Sequence, residues 1–172
     1  MLDKIREMSG LNDKTIIDFL NIKRGHSVID IGGRDGFFSK KMLEKTDDVT
    51  VLDLNDMYFG ELKQAGIKTI KADICDYSSG SFDLVFMSNV YHDLMQECNE
   101  KALENIGKIA KRYIAVLDFK PEDTMFGPPV SIRLSKEKVE EDMKSIGFKL
   151  IKEKELRYHY LLLFERKNEI KA

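Results

Sequence analysis

A chain of 172 residues that is 42% hydrophobic and has no long proline, serine or glycine tract suits one compact domain with a sizeable core, not two. Its formal charge of −2 hides 28 basic and 30 acidic residues, a mixed solvated surface that argues against a nucleic-acid or membrane partner. With no secretory or transmembrane segment and no CxxC pair, the sequence favours a reduced, cytoplasmic setting in which Cys75 and Cys98 are buried small apolar residues.

Strand and helix signals alternate along the chain, the pattern of a parallel sheet covered by helices. An N-terminal helical segment, residues 1–24, holds a helix around "DKTIIDFL". "SVIDI" predicts the first strand and "VTVLDL" the second, each an apolar run closing on an acid. Between them comes a glycine turn, then a helix with Phe37, Phe38, Met42 and Leu43 on one face. "IKTIKAD" is the third strand. "FDLVFM" and "YIAVLDF" are the fourth and fifth, too continuously apolar to be half exposed, so both are expected to be buried on two faces. Cys98, Ala102, Ile106, Ile109 and Tyr113 recur at three- and four-residue spacing, which predicts one helix packed on the sheet. After the loop "KPEDTMFGPPVSIRL", Ser135 is placed to N-cap a helix carrying Val139, Met143 and Ile146, and Gly147 to stop it. "FKLIKEKEL" and "YHYLLLFER" then predict an antiparallel hairpin turning near Arg157.

The glycine turn decides the ligand class. A dinucleotide fold wants GxGxxG, whose second glycine lets backbone approach a pyrophosphate; here that position is Arg34. No GxxxxGK occurs either, which removes the nucleotide P-loop. What the turn does offer is an acid, one residue, a glycine, three residues and a glycine: Asp30, Gly32 and Gly36. Together with "VLDL", "ADI" and "FDLVFMSNVYHDL" at the expected order and spacing, and with the terminal hairpin, it resembles the class I S-adenosylmethionine-dependent methyltransferases. The likeness runs from about Ser27 to Glu165 and is greatest to small type 11 members that act on small molecules.

The resemblance implies an α/β fold: a Rossmann-like, doubly wound, mostly parallel seven-stranded sheet with a C-terminal antiparallel hairpin, in one domain over residues 1–172. Residues 25–120 would be the cofactor-binding half and 121–172 the acceptor-side loop, helix and hairpin. It implies S-adenosyl-L-methionine as cofactor and S-adenosyl-L-homocysteine as product. Gly32, Gly33 and Gly36 would shape the loop under the methionine portion, and Asp30 would lie near its ammonium. Asp53, with Leu54 beside it, would accept both ribose hydroxyls, as a carboxylate can. Asp73 would accept from the adenine amine with the Ile74 backbone nearby, and Ser88 and Asn89 would meet the methionine end. Arg34 replaces the usual central glycine, and Gly33, in place of a common cysteine, is expected to restore the backbone freedom lost there.

Methyl transfer is an in-line displacement at a carbon already activated by its sulfonium, so no metal is expected; alignment, and proton removal where the acceptor carries one, are the tasks. His92, directly after the fourth strand, is the first candidate for general base, or else a helix cap packed against Tyr91. Asp93 either orients His92 and the acceptor or caps the helix. Tyr91 would set its ring near the sulfonium, or sit in the core. Asp118 and Lys120 leave the fifth strand toward the same opening and Arg133 lies beyond the two prolines; together they would receive a polar or anionic acceptor, or form ordinary ion pairs, and His159 at the hairpin turn is a further candidate. The fourth strand lacks the Asn/Asp-Pro-Pro-aromatic mark of amine methylation on bases or glutamine, and there is no basic appendage for RNA, which leaves a small-molecule acceptor. So short a chain must build its acceptor pocket from a few loops, the N-terminal segment or a second subunit, which makes a homodimer an expectation. The rival readings are a protein that binds S-adenosylmethionine or its product without turnover, and a nicotinamide-dependent oxidoreductase, the latter disfavoured by Arg34 and the hairpin.

Overall fold

A computed structural model describes residues 2–168. Two short helices, α1 (Leu2–Met8) and α2 (Thr15–Phe19), precede β1 (Ser27–Ile31), α3 (Phe37–Met42), β2 (Asp48–Asp53), α4 (Phe59–Gln64), β3 (Lys68–Lys71) and β4 (Phe82–Ser88). Then follow α5 (Tyr91–Glu97), α6 (Glu100–Ile109), β5 (Ala110–Phe119), α7 (Lys136–Ser145), β6 (Phe148–Glu155) and β7 (His159–Arg166). The strands form one sheet in the order β3-β2-β1-β4-β5-β7-β6. Pairs among β1 to β5 are parallel, and β7 runs antiparallel to both β5 and β6.

Because side chains alternate along a strand, the continuous apolar runs of β1, β4 and β5 feed two cores at once. Ile29, Val85, Met87 and Val116 meet Tyr91, Ala102, Ile106, Val139 and Met143 on one face. Val28, Leu84, Phe86 and Leu117 meet Ile16, Phe38, Met42 and Leu62 on the other. Ser135 caps α7 as expected, accepting from the Lys138 N–H at 3.1 Å.

Two expectations are corrected. The single helix from Cys98 to Tyr113 is two helices and the start of a strand. Asn99, at φ 39°, breaks α5 from α6, while Tyr113 belongs to β5, paired with Leu84 and Glu165. The apolar spacing carries through this junction unchanged, so periodicity alone does not reveal it. Cys75 and Cys98 are not separate apolar thiols: the turn after β3 and the end of α5 bring their Cα atoms to 6.0 Å, and the sulfurs are bonded. No helix among the described residues is long and apolar enough to cross a membrane.

Candidate functional site

The parallel strands β1, β2 and β4 all end at one edge, where open α/β sheets hold ligands. At the end of β1 the chain turns through Gly32 (φ 70°), Arg34 (φ 53°) and Gly36 (φ 76°) before α3 begins. Arg34 itself takes up the left-handed backbone, which corrects the expectation for Gly33. Gly33 is required for space: a Cβ there would sit 2.9 Å from the Asp30 carboxyl carbon and 3.0 Å from Val51. At Gly36 an added Cβ would come within 2.4 Å of buried Leu62, so the turn is seated tightly on α4.

Asp53, at the end of β2, accepts from the Arg34 N–H at 2.9 Å through Oδ2 and from the Asn55 N–H at 3.0 Å through Oδ1. It lines a cavity of about 130 Å³ with Leu54, Asp73, Ile74, Asp93 and Glu97. Asp73 accepts from the Cys75 N–H at 2.9 Å, and the Ile74 carbonyl is fixed by Asn105 Nδ2 at 2.7 Å. Leu54 is 60% exposed, an apolar residue standing open at the cavity rim.

Across Gly32 and Val90, which line both, lies a second cavity of about 200 Å³. Asp30, Ser88 and Asn89 open onto it, and α1 roofs it with Ile5 and Arg6. Asp30 is 2% exposed, and burial lifts its carboxyl to about 7 even though Ser39 donates to it at 2.6 Å. Asn89 holds a left-handed turn at φ 56°, and its buried Oδ1 has no hydrogen-bond partner among the described residues. Arg6 ties the roof to the glycine turn through two bonds to Asp35, of 2.8 and 2.6 Å, with its guanidinium over the Phe37 ring. Burial opposes ionisation of Asp35, but Arg6 outweighs it and holds the carboxyl below its ordinary range.

The acceptor-side candidates take different places. His92 and Asp118 are both buried and paired, with the His92 N–H donating to Oδ2 at 3.0 Å and Nδ1 lying 2.7 Å from Oδ1. Burial lowers the imidazole pKa, but Asp118 outweighs it, and the net shift is upward. Neither residue lines the two cavities, so His92 has no open path to an acceptor there. Tyr91 takes the core alternative: fully buried, it donates to Asp142 of α7 at 2.7 Å and lines neither cavity. Arg133 is likewise saturated, its guanidinium donating to the carbonyls of Pro128, Lys120, Glu122 and Phe126 and to Thr124 Oγ1. It organises the loop after β5 and lies over the Phe119 ring. Lys120 ion-pairs Glu155 at 3.2 Å on another groove, and His159 is buried against Phe119, neither ring nitrogen having a partner among the described residues. Asp93 alone of this group lines the adjoining cavity, its Oδ1 3.5 Å from His92 Nε2.

Sequence reading missed Arg6, Ser39 and Phe119. Ser39 leaves a faint signal as a small polar residue on the buried face of α3. Arg6 leaves none, because its partner lies 29 residues away.

Residues 29–113 match a family model described as a methyltransferase domain. None of the curated proteins compared with the chain matches it in sequence. Among solved structures, it is similar to a chain described as a type 11 methyltransferase from Sulfolobus solfataricus, at 24% identity and a TM-score of 0.74, with 90% of each chain covered. A SAM-dependent methyltransferase from Aquifex aeolicus superposes with a TM-score of 0.73 at 22% identity, over 96% of this chain and 98% of that one. Magnesium protoporphyrin IX methyltransferase from Synechocystis PCC 6803, with bound SAH, gives 0.71 at 15% identity over 89% and 81%. The matched segment runs from β1 into β5 and the fold shared with these structures continues through β7, so the chain carries a methyltransferase-domain match at residues 29–113 within a class I methyltransferase fold.

Proposed function

We propose that the protein transfers a methyl group from S-adenosylmethionine to a small-molecule acceptor. The observation that carries this reading is the pair of cavities meeting over Gly32 and Val90, one rimmed by Asp53 and Asp73, the other by Asp30 and the unpartnered Asn89 Oδ1. These acceptors fit an elongated nucleoside with a cationic amino-acid tail. When bound, that cofactor supplies a methyl group activated by its sulfonium.

The chain's own residues bind, orient and exclude water. Asp53 keeps lone pairs for ribose hydroxyls beyond the two backbone donors that aim it. Asp30 and Asn89 Oδ1 supply acceptors for an ammonium, and Phe37, Phe38 and Phe119 keep that end dry. His92 and Asp118 act as a positioning pair, locking the turn of Ser88 and Asn89 to the end of β5. The ionisable groups lining the methionine-side cavity are Arg6, Asp30 and Arg34, so no free neutral base faces it among the described residues. The acceptor that suits this site is already nucleophilic near neutral pH, with alignment supplying the catalysis.

Calorimetric titration with S-adenosylmethionine, S-adenosylhomocysteine and a nicotinamide dinucleotide tests the reading. Micromolar binding of the first two alone supports it, and binding of the dinucleotide instead overturns it. With Asp30 committed to the ammonium, the lack of a further base favours a second reading, a protein that binds the cofactor without turnover. Transfer of a labelled methyl group to any member of a panel of amines, thiols and phenols would exclude that.

A further inference from the structure

The outer wall of the adenosine-side cavity holds a cluster that methyl transfer does not use. Cys75 and Cys98 are joined as a disulfide. The sulfur of Cys75 and one carboxylate oxygen each from Asp73 and Glu97 all lie within 4.8 Å of one another. Among the described residues Glu97 has no cationic partner, and Asp73 accepts the Cys75 N–H at Oδ1 with no bond at Oδ2. Two sulfurs and two carboxylates therefore converge from the turn after β3 and the end of α5.

We propose that Asp73, Cys75, Glu97 and Cys98 form a thiol-gated site for a divalent cation of the zinc class, shut while the disulfide is closed and competent once it is reduced. A reductant of the dithiol or phosphine class supplies two electrons. The S–S bond breaks, two protons are taken up, and two thiols result. The cation then displaces both thiol protons and is held by two thiolates and two carboxylates. Zinc–sulfur bonds of about 2.3 Å and zinc–oxygen bonds of about 2.0 to 2.2 Å give tetrahedral edges of roughly 3.3 to 3.8 Å. Once the S–S bond is reduced the sulfurs must part to that edge length, and the carboxylate oxygens, already within 4.8 Å, must close to it. Both movements fall in a turn and a helix end, outside the sheet.

Metal at this site would draw Asp73 away from an adenine amine, so metal and cofactor would compete. That clause rests on the adenosine reading of the cavity; the metal site does not.

The test uses the full chain, one sample oxidised and one reduced with a phosphine and desalted without oxygen, each titrated with zinc against a chromophoric chelator. One zinc per reduced chain and none per oxidised chain is expected. Cys98→Ser and the exposed Glu97→Gln should each weaken uptake at least tenfold with unchanged circular dichroism, and cobalt should give sulfur-to-metal absorption. No stoichiometric zinc on the reduced chain, or wild-type affinity in Cys98→Ser, would overturn the proposal. Homocysteine-product affinity measured with and without zinc separates the two readings. Zinc uptake that lowers this affinity in the reduced chain alone supports both, whereas uptake that leaves it unchanged keeps the metal site and removes Asp73 from the adenine.

Discussion

Burial lifts the Asp30 carboxyl to about 7 against the pull of Ser39, so near neutrality the group is divided between its two forms. An ammonium beside it favours the carboxylate, and binding below that pH must expel a proton. Affinity for S-adenosylhomocysteine should therefore strengthen as pH rises from about 5.5 to about 7.5, by at most tenfold per unit. Calorimetry in buffers of unlike ionisation enthalpy reads the proton directly, and Asp30→Asn should abolish it. A pH-independent affinity in the wild type would take Asp30 off the ammonium. Asp53→Ala removes an acceptor already aimed by two backbone donors, and a loss of about 1.5 to 3 kcal/mol in cofactor binding is expected. Unchanged affinity in that titration would mean that Asp53 does not hold the ribose. The positions of Asp30, Gly32 and Asp53 at the cleft were readable in the sequence because each follows from local order after a strand. Tyr91, Arg133 and His159 were not: their loops lie near the site, but which way each side chain faces is set by partners on α7, in the loop after β5 and on Phe119.

Among the elements, the hairpin places a fully buried titrating group. His159 opens β7 opposite Phe119, fully buried, and burial lowers its pKa to about 4. The folded value lies below the unfolded one, so the unfolded chain takes up the proton first. Its contribution is present above about pH 6.5 and lost as pH falls toward about 4, a change of roughly 3 kcal/mol. Urea unfolding between those limits should show the loss, and His159→Phe should flatten it; an equal slope in the variant would assign the loss to other groups. His92 acts in a more alkaline window and with the opposite sign. Its folded pKa is raised, so its contribution is present below the ordinary imidazole value and lost as pH climbs through the raised one. The strands were legible from apolar run length, since a parallel sheet buries both faces of its central members. The break between α5 and α6 was not, because Asn99 interrupts the backbone without interrupting the spacing of apolar residues.

At the scale of the whole molecule, the roof of the cavity beside Asp30 comes from the N-terminal segment of the same chain. α1 is seven residues long, too short to hold itself as a helix in water, and Arg6 fastens it to the turn that carries Gly32 and Gly36. Arg6→Ala should release the roof. Amide exchange across residues 3–8 is expected to accelerate toward the rate of unstructured chain while β1 and β4 stay protected. If exchange in α1 is unaltered, Ile5 and Leu11 hold the roof without the ion pair.

β7, made after every other strand, enters the sheet between β5 and β6. During synthesis the ten-residue flank of β5 must wait on one side until residues 159–166 have left the ribosome. A polypeptide cut after residue 120 would keep every glycine and carboxylate of the cleft and still present a long open strand margin to its neighbours, so it is expected to precipitate. The part of the chain that carries the cleft is thus expected to depend for its solubility on β7.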